Sequence, residues 1–196
     1  MPRKAASSPP AGQAIRAAAL RLFVEKGYAG ASTREICALA RITKPVLYYH
    51  FENKEQLYRE ILETAHAEAM QDFNRAAARA ASASGKLAAV LAADFALTGR
   101  EPQIARLLIR NLFAPPEETP AVDLLAFAFE WLRLIERIVR AGVRAREIRG
   151  NPRAIAEALM GIHLVYTMSF LLTGKPALGP ALAKRIVHLV MEGCRA

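Results

Sequence analysis

Side chains able to do chemistry crowd into one short stretch. From Thr43 to His50 the chain reads Thr-Lys-Pro-Val-Leu-Tyr-Tyr-His, which places two phenols, an imidazole, an ammonium and a Thr hydroxyl within eight residues. Such groups donate hydrogen bonds to anions, and the rings lie flat on sugars and methyl groups, so the chemistry they suit is contact with a phosphodiester polymer. Signatures of catalysis are missing. The sequence has no Gly-rich phosphate cradle, no Gly-x-Ser-x-Gly turn and no His-Glu-x-x-His. Its histidines (His50, His66, His163 and His188) are scattered, and no carboxylates stand paired at a recognisable spacing, so neither an enzyme nor a metal or other cofactor is expected. His163, in an apolar helix, reads as a hydrogen-bonded core residue rather than a ligand.

The elements that must position this stretch can be read from its flanks. Ser32 and Glu35, three apart ahead of Ile36, form a capping box, in which the hydroxyl takes one free N–H and the carboxylate another. Thr43 opens the next helix, with Pro45 just inside it, where a missing N–H costs little. Asn53 opens a third, with Gln56 three residues on. The middle helix, Lys44 to His50, has about two turns and is too short to stand alone, so its neighbours must clamp it. Leu47 and Phe51 give it an apolar underside, and Leu39 to Thr43 is about the length of the turn in a helix-turn-helix. That arrangement suits insertion into a DNA major groove. Spacing alone leaves open a small bundle with a solvated polar face, and leaves open whether Tyr49 packs under the first helix.

With those residues in view, the stretch resembles the DNA-binding signature of the tetracycline repressor (TetR) family. The matching residues are Ser32-Thr33-Arg34-Glu35-Ile36, Ala40 through Thr43, Lys44-Pro45-Val46-Leu47-Tyr48-Tyr49-His50-Phe51 and Asn53-Lys54-Glu55-Gln56-Leu57. Arg41 departs from the pattern, standing where the family has Gly, so a slightly altered turn is expected. The resemblance implies base or phosphate contacts from Thr43, Lys44, Pro45, Val46, Tyr48, Tyr49 and His50, and phosphate contacts from Thr33 and Lys54. Val46 offers only apolar contact, so part of the specificity is expected from DNA shape.

The rest of the chain sets the frame. Its 196 residues can bury a real core, and 53% apolar content with no hairpin signals favours helices throughout. The net charge of +9 favours polyanionic partners. That charge is denser in residues 1–60, with ten Lys or Arg against five Asp or Glu, than in 61–196, with seventeen against thirteen. Cys37 and Cys194 fit no disulfide framework or metal spacing, and Cys37 is expected to be a buried free thiol. Residues 1–11 read as a disordered basic arm, with neither a signal peptide nor an anchor expected. Ile15, Ala19, Leu22 and Phe23 mark a first helix that Gly27 closes. Another helix runs from Lys54 past Phe73, and a loop or frayed end is expected over Ala76–Lys86. Further helices are expected over Leu87–Thr98, from Pro102, over Ala121–Val143, from Pro152 behind an Asn151 cap, and from Leu182, with a break at Ala114–Pro120. Arg137, Arg140, Arg144, Arg146, Arg149 and Arg153 read as a solvated basic surface. Ala158–Thr173 carries no charge but is too short and too polar for a membrane span, so no membrane is expected. It should bury one face in its own core and one on a partner.

The expected fold is all-α, with about nine helices: a three-helix helix-turn-helix head over residues 12–56 (motif about 32–51) and a helical module over 57–196. The resemblance implies that the module binds a ligand and forms a homodimer through the last two helices as a four-helix bundle. It implies a transcriptional repressor in a bacterial-type cytoplasm, released from a double-stranded operator by a small-molecule effector. Phe95, Asn111, Phe127, Trp131, His163 and Tyr166 are candidate pocket residues, as aromatic or polar groups on otherwise apolar helices. Their chemistry suits an apolar or amphipathic effector.

Overall fold

Five helices among the described residues start where a side chain takes up a free backbone N–H, and three of those starts are marked in the sequence by Ser32, Asn53 and Asn151. The structure is a computed structural model describing residues 10–112, 115, 119–120 and 122–193. Among the described residues there are nine helices and no strands: α1 (Ala11–Gly30), α2 (Thr33–Ala40), α3 (Lys44–His50), α4 (Lys54–Ala78), α5 (Ala83–Arg100), α6 (Pro102–Leu112), α7 (Leu124–Arg144), α8 (Pro152–Thr173) and α9 (Pro180–Gly193). The expected all-α class is what the chain adopts. Residues 1–9 of the basic arm, Cys194 and most of the Ala114–Ala121 stretch lie outside the described residues.

Of the caps read from the sequence, those at Ser32, Asn53 and Asn151 form, whereas Thr43 stands at its N-cap position without a side-chain capping bond. Glu35 N–H donates to Ser32 Oγ (3.2 Å) while Ser32 N–H donates to Glu35 Oε2 (3.0 Å), closing the box at α2. Asn53 accepts from Gln56 N–H (2.8 Å), but the Gln56 side chain reaches back to Glu52 N–H, one residue further out than in an ideal box. Asn151 accepts from Arg153 and Ala154 N–H at the start of α8. Two caps had gone unread. Ser82 accepts from Gly85 N–H and starts α5 four residues before Leu87, so the loop expected over Ala76–Lys86 shrinks to the link between α4 and α5. Asp123 accepts from Ala126 N–H and starts α7.

One turn differs from expectation. Gly27 takes φ 76°, as a helix-ending glycine would, yet helix resumes to Gly30, so Gly27 is a kink inside α1 rather than its end. A Cβ there would lie 2.6 Å from Arg110 Nη2, so close approach and positive φ both demand glycine. Within the helix-turn-helix turn Arg41 adopts the left-handed conformation (φ 55°, ψ 46°), with Ile42 N–H reaching back to Cys37 O. Arg41 carries a backbone cost of about 1–2 kcal/mol there.

The chain divides into two compact units, Met1–Thr64 with Arg106–Val122, and Ala65–Ala105 with Asp123–Ala196. The first contains the head, the front of α4 and the back of α6. Its core includes Ile15, Phe23, Ile36, Leu47, Phe51 and Leu57, all buried, with Tyr58 edge-on to Phe23 at 4.9 Å. Cys37 is buried there as a free thiol, as expected. Tyr58 OH donates to Asn111, and Arg110 Nη1 donates to Val24 O, so both residues tie the back of α6 to α4 and α1. In the second unit α5 packs on α7, α8 and α9, and α7 on α8. Leu87, Leu91, Phe95, Ile135, Val139, Leu159 and Ile186 form its centre. Gly142 lets α7 approach closely: a Cβ would sit 2.6 Å from Ala83 Cβ and 2.8 Å from Ile148 Cδ1.

α8 is long and apolar enough, by length and composition, to cross a membrane, yet it buries Ile155, Ala156, Leu159 and Thr167 in this unit's core. Leu164, Val165 and Leu172 on α8, and Leu189 on α9, are left exposed. The six arginines from Arg137 to Arg153 are all exposed; Arg140 pairs with Glu136, and Arg153 with Glu136 and Glu157.

Candidate nucleic-acid interface and buried polar cluster

α3 is pinned from below and open above. Leu47 and Phe51 are buried against the head core, the Arg16 guanidinium lies over the Phe51 ring (5.7 Å), and Val46 is half-buried. On the other side Thr43, Lys44, Pro45, Tyr48, Tyr49 and His50 are all exposed. Tyr49 is 85% exposed and Tyr48 48%, which excludes the packing of Tyr49 under α1. Thr43 occupies the N-cap position of α3 without its hydroxyl making a capping bond, so that donor is available. The His50 ring stands edge-on to Tyr49 at 5.2 Å and lies beside Gly12 at the start of α1. A rigid, hydroxyl-rich and cationic surface of this kind can hold phosphates and press flat rings on sugars and thymine methyls.

The flanking candidates are placed differently. Thr33 is half-buried at the first position of α2. Glu35, beside it, is tied up by the Lys26 ammonium and by the Ser32 hydroxyl and N–H, which hold its carboxyl down at about 2. Lys54 turns inward: its Nζ donates to Tyr28 O and Ala31 O, both at 2.9 Å, and sits 4.2 Å from the Tyr28 ring centroid. Burial lowers its pKa. Two of its three ammonium protons therefore satisfy the last carbonyls of α1, a tertiary tie that Lys54's position at a helix start gave no sign of. The exposed cations beside α3 are Arg41 and Lys44.

In the second unit a polar group of a different kind is enclosed. His163 on α8 faces Asp94 on α5, Nε2 to Oδ2 at 3.1 Å, with both side chains 15% exposed. The imidazole lies near-parallel to the rings of Phe95 (5.3 Å) and Trp131 (5.2 Å), with Thr167 Oγ1 3.3 Å from Nε2. Burial pulls the His163 pKa down, but the charge of Asp94 and its hydrogen bond outweigh that, and the net shift is upward. Trp131 is buried, and its Nε1 has no hydrogen-bond partner among the described residues.

Of the candidate pocket residues, the structure brings Phe95, Trp131 and His163 together. Tyr166 packs half-buried against the same core. Phe127 is engaged with His66, the rings stacked at 4.0 Å while His66 Nε2 meets Glu130 Oε2 at 2.8 Å. Asn111 belongs to the first unit, bonded to Tyr58 and to Leu107 O. Asp94 was missed. Its one signal was a lone carboxylate within the otherwise apolar run Leu91–Leu97. Among the described residues no group of three His, Cys, Asp or Glu could hold a metal ion.

An all-helical chain with a clamped helix-turn-helix near its N-terminus and a larger helical unit after it defines the class. Residues 15–61 match the family model described as bacterial regulatory proteins, tetR family, so this part of the chain is similar to that family's N-terminal region. It is 47% identical over 45 residues to the biofilm operon icaADBC HTH-type negative transcriptional regulator IcaR of Staphylococcus epidermidis, covering 23% of this chain and 24% of that one. It is 32% identical over 105 residues to the HTH-type transcriptional activator FasR of Mycolicibacterium smegmatis, covering 53% and 48%. The chain thus spans less than half the length of either relative. The crystal structure of the transcriptional regulator FadR from Bacillus subtilis in complex with stearoyl-CoA superposes with a TM-score of 0.73 at 20% identity, over 93% of this chain and 99% of that one, and so shares the fold.

Proposed function

We propose that this protein is a DNA-binding transcriptional regulator, a cytoplasmic repressor that leaves its operator when a small apolar or amphipathic ligand binds. The observation that carries the reading is the two-sidedness of α3, with Leu47 and Phe51 locked below and Thr43, Lys44, Tyr48, Tyr49 and His50 presented above. In this reading residues 12–56 carry DNA binding and 57–196 carry dimerisation and sensing. Tyr48 and Tyr49 press on sugars or thymine methyls, Thr43 and Lys44 hold phosphates, Pro45, Val46 and His50 complete the contact face, and Thr33 adds a phosphate contact from α2. Lys54 contributes through its remaining proton.

A homodimer through α8 and α9 is supported by Leu164, Val165, Leu172 and Leu189, apolar side chains that the single chain leaves in water. Such a dimer would set two heads into successive major grooves, about 34–36 Å apart. The enclosed Phe95–Trp131–His163 group supports an effector site in the second unit, and a regulator of the same fold crystallised with stearoyl-CoA supports an amphipathic ligand. The ligand releases DNA only to the extent that it binds the released state more tightly than the DNA-bound one.

The test is a titration of the full chain on the DNA upstream of its own coding sequence, with nonspecific competitor, followed by selection from random sequence. Competitor-resistant binding that the Lys44→Ala, Tyr48→Phe double variant loses with its fold intact is expected. A folded protein that selects no sequence would instead leave the head as a scaffold for a protein partner.

A further inference from the structure

Trp131 is only 7% exposed, yet its indole N–H has no acceptor among the described residues. Native cores leave few buried donors unpaired, and each exception calls for an explanation. Its surroundings narrow what could complete it. The Asp94 carboxylate is already engaged by His163 Nε2, which the Thr167 hydroxyl also approaches. His163 already faces the Asp94 carboxylate at 3.1 Å, so the cluster offers a hydrogen-bond donor without surplus positive charge. A carboxylate brought here would lose its water and gain no counter-charge. An uncharged oxygen loses far less and satisfies the indole. The Phe95 ring stacks on His163 at 5.3 Å, and the cluster is part of the unit's apolar core, chemistry that suits a hydrocarbon body.

Resting on the reading of the second unit as the effector-binding part, we infer that this cluster takes an apolar ligand bearing an uncharged carbonyl oxygen, of ketone or ester type, with Trp131 Nε1 donating to that oxygen. Asp94 and His163 hold the rings in register and exclude free acids.

Trp131 is the only tryptophan in the chain, so its indole N–H gives a single proton resonance in the full-length protein. The probes are 2-octanone, methyl octanoate, octanoate and n-octane, each titrated by calorimetry and by following that resonance. The ketone and the ester should bind at least about 10-fold more tightly than octanoate or octane, the loss expected when a buried donor stays unpaired. They should also move the indole proton downfield, whereas octane should not. Trp131→Phe keeps an aromatic body without the donor and should bring the ketone and ester down to the level of octane; a melting curve checks its fold, and the wild-type resonance stands without it. Octanoate binding as tightly as its ester, or a bound ketone that leaves the indole proton unmoved, overturns the inference and leaves the effector reading in place. A folded protein that binds none of the probes, octane included, overturns both.

Discussion

α3 and α8 draw on the same side chains and dispose of them in opposite ways. Each carries tyrosine and histidine, with a threonine at the N-cap of α3 (Thr43) and inside α8 (Thr167). In α3 these groups face water, with Tyr49 85% exposed and the Thr43 hydroxyl uncommitted. In α8 His163 and Thr167 turn inward, where Asp94, Phe95 and Trp131 meet the imidazole. The difference comes from length and neighbours. Seven residues supply only enough apolar surface for one pinned side, whereas twenty-two residues in contact with α5 and α7 can enclose polar groups on that side. Polar groups facing out can meet a large partner such as DNA. Polar groups enclosed can meet only something small.

The sharpest break in this comparison lies within α3 itself. Leu47→Ala should cost about 2–5 kcal/mol of stability, because it empties a fully buried site, while Tyr49→Ala should stay within about 0.5 kcal/mol. Urea unfolding measures both, and DNA affinity should fall in both. Equal destabilisation would mean that α3 is not two-sided.

In the second unit Asp94→Ala should cost about 3 kcal/mol by stripping a buried imidazole of its partner. Gly142→Ala should cost about 1–3 kcal/mol despite alanine's better helix propensity, because the new methyl meets Ala83 and Ile148.

The units should also differ in their pH edges. The His163 pKa is raised in the folded protein, so its stabilisation is complete below the ordinary value of 6.5 and is lost as pH rises through the folded value. The Glu35 pKa is lowered to about 2, so its contribution is present above the ordinary carboxylate range and is lost as pH falls toward 2. Melting curves against pH should show an alkaline-side loss that Asp94→Asn abolishes and an acid-side loss that Glu35→Gln abolishes.

The smallest effect is at the turn. Arg41→Gly should stabilise by about 0.5 kcal/mol, the relief of left-handed strain being partly offset by the freer unfolded chain. A loss of stability there would mean that the Arg41 side chain earns its place through contacts.

What the sequence disclosed follows range. Ser32 with Glu35, Asn53 with Gln56 and Asn151 with Pro152 are decided within four residues, and they carried the helix starts, the short α3 and its outward face. Lys54 looked like a free cation at a helix start because Tyr28 and Ala31, which take its protons, lie more than twenty residues away. Asp94 and His163 are far apart in sequence, and neither is distinctive until α5 and α8 pack. Asn111 reads as a polar group on an apolar helix, and its bond to Tyr58, like that of Arg110 to Val24 O, which places the back of α6 with the head, joins residues more than fifty apart. Arg41 shows the converse: a side-chain-bearing residue in that turn signalled an unusual conformation from the sequence alone, and Arg41 takes the left-handed one.

The measurement that tests the central claim most directly is the salt dependence of DNA affinity for the full chain, with and without Lys44→Ala and Tyr49→Ala. The exposed face of α3 predicts that log K falls linearly and steeply with log salt, by about 0.9 for each phosphate neutralised. Lys44→Ala should flatten that slope by about one contact, while Tyr49→Ala should weaken binding and leave the slope unchanged. A flat response in the wild type, or binding indifferent to both substitutions, would contradict the assignment of this face to DNA.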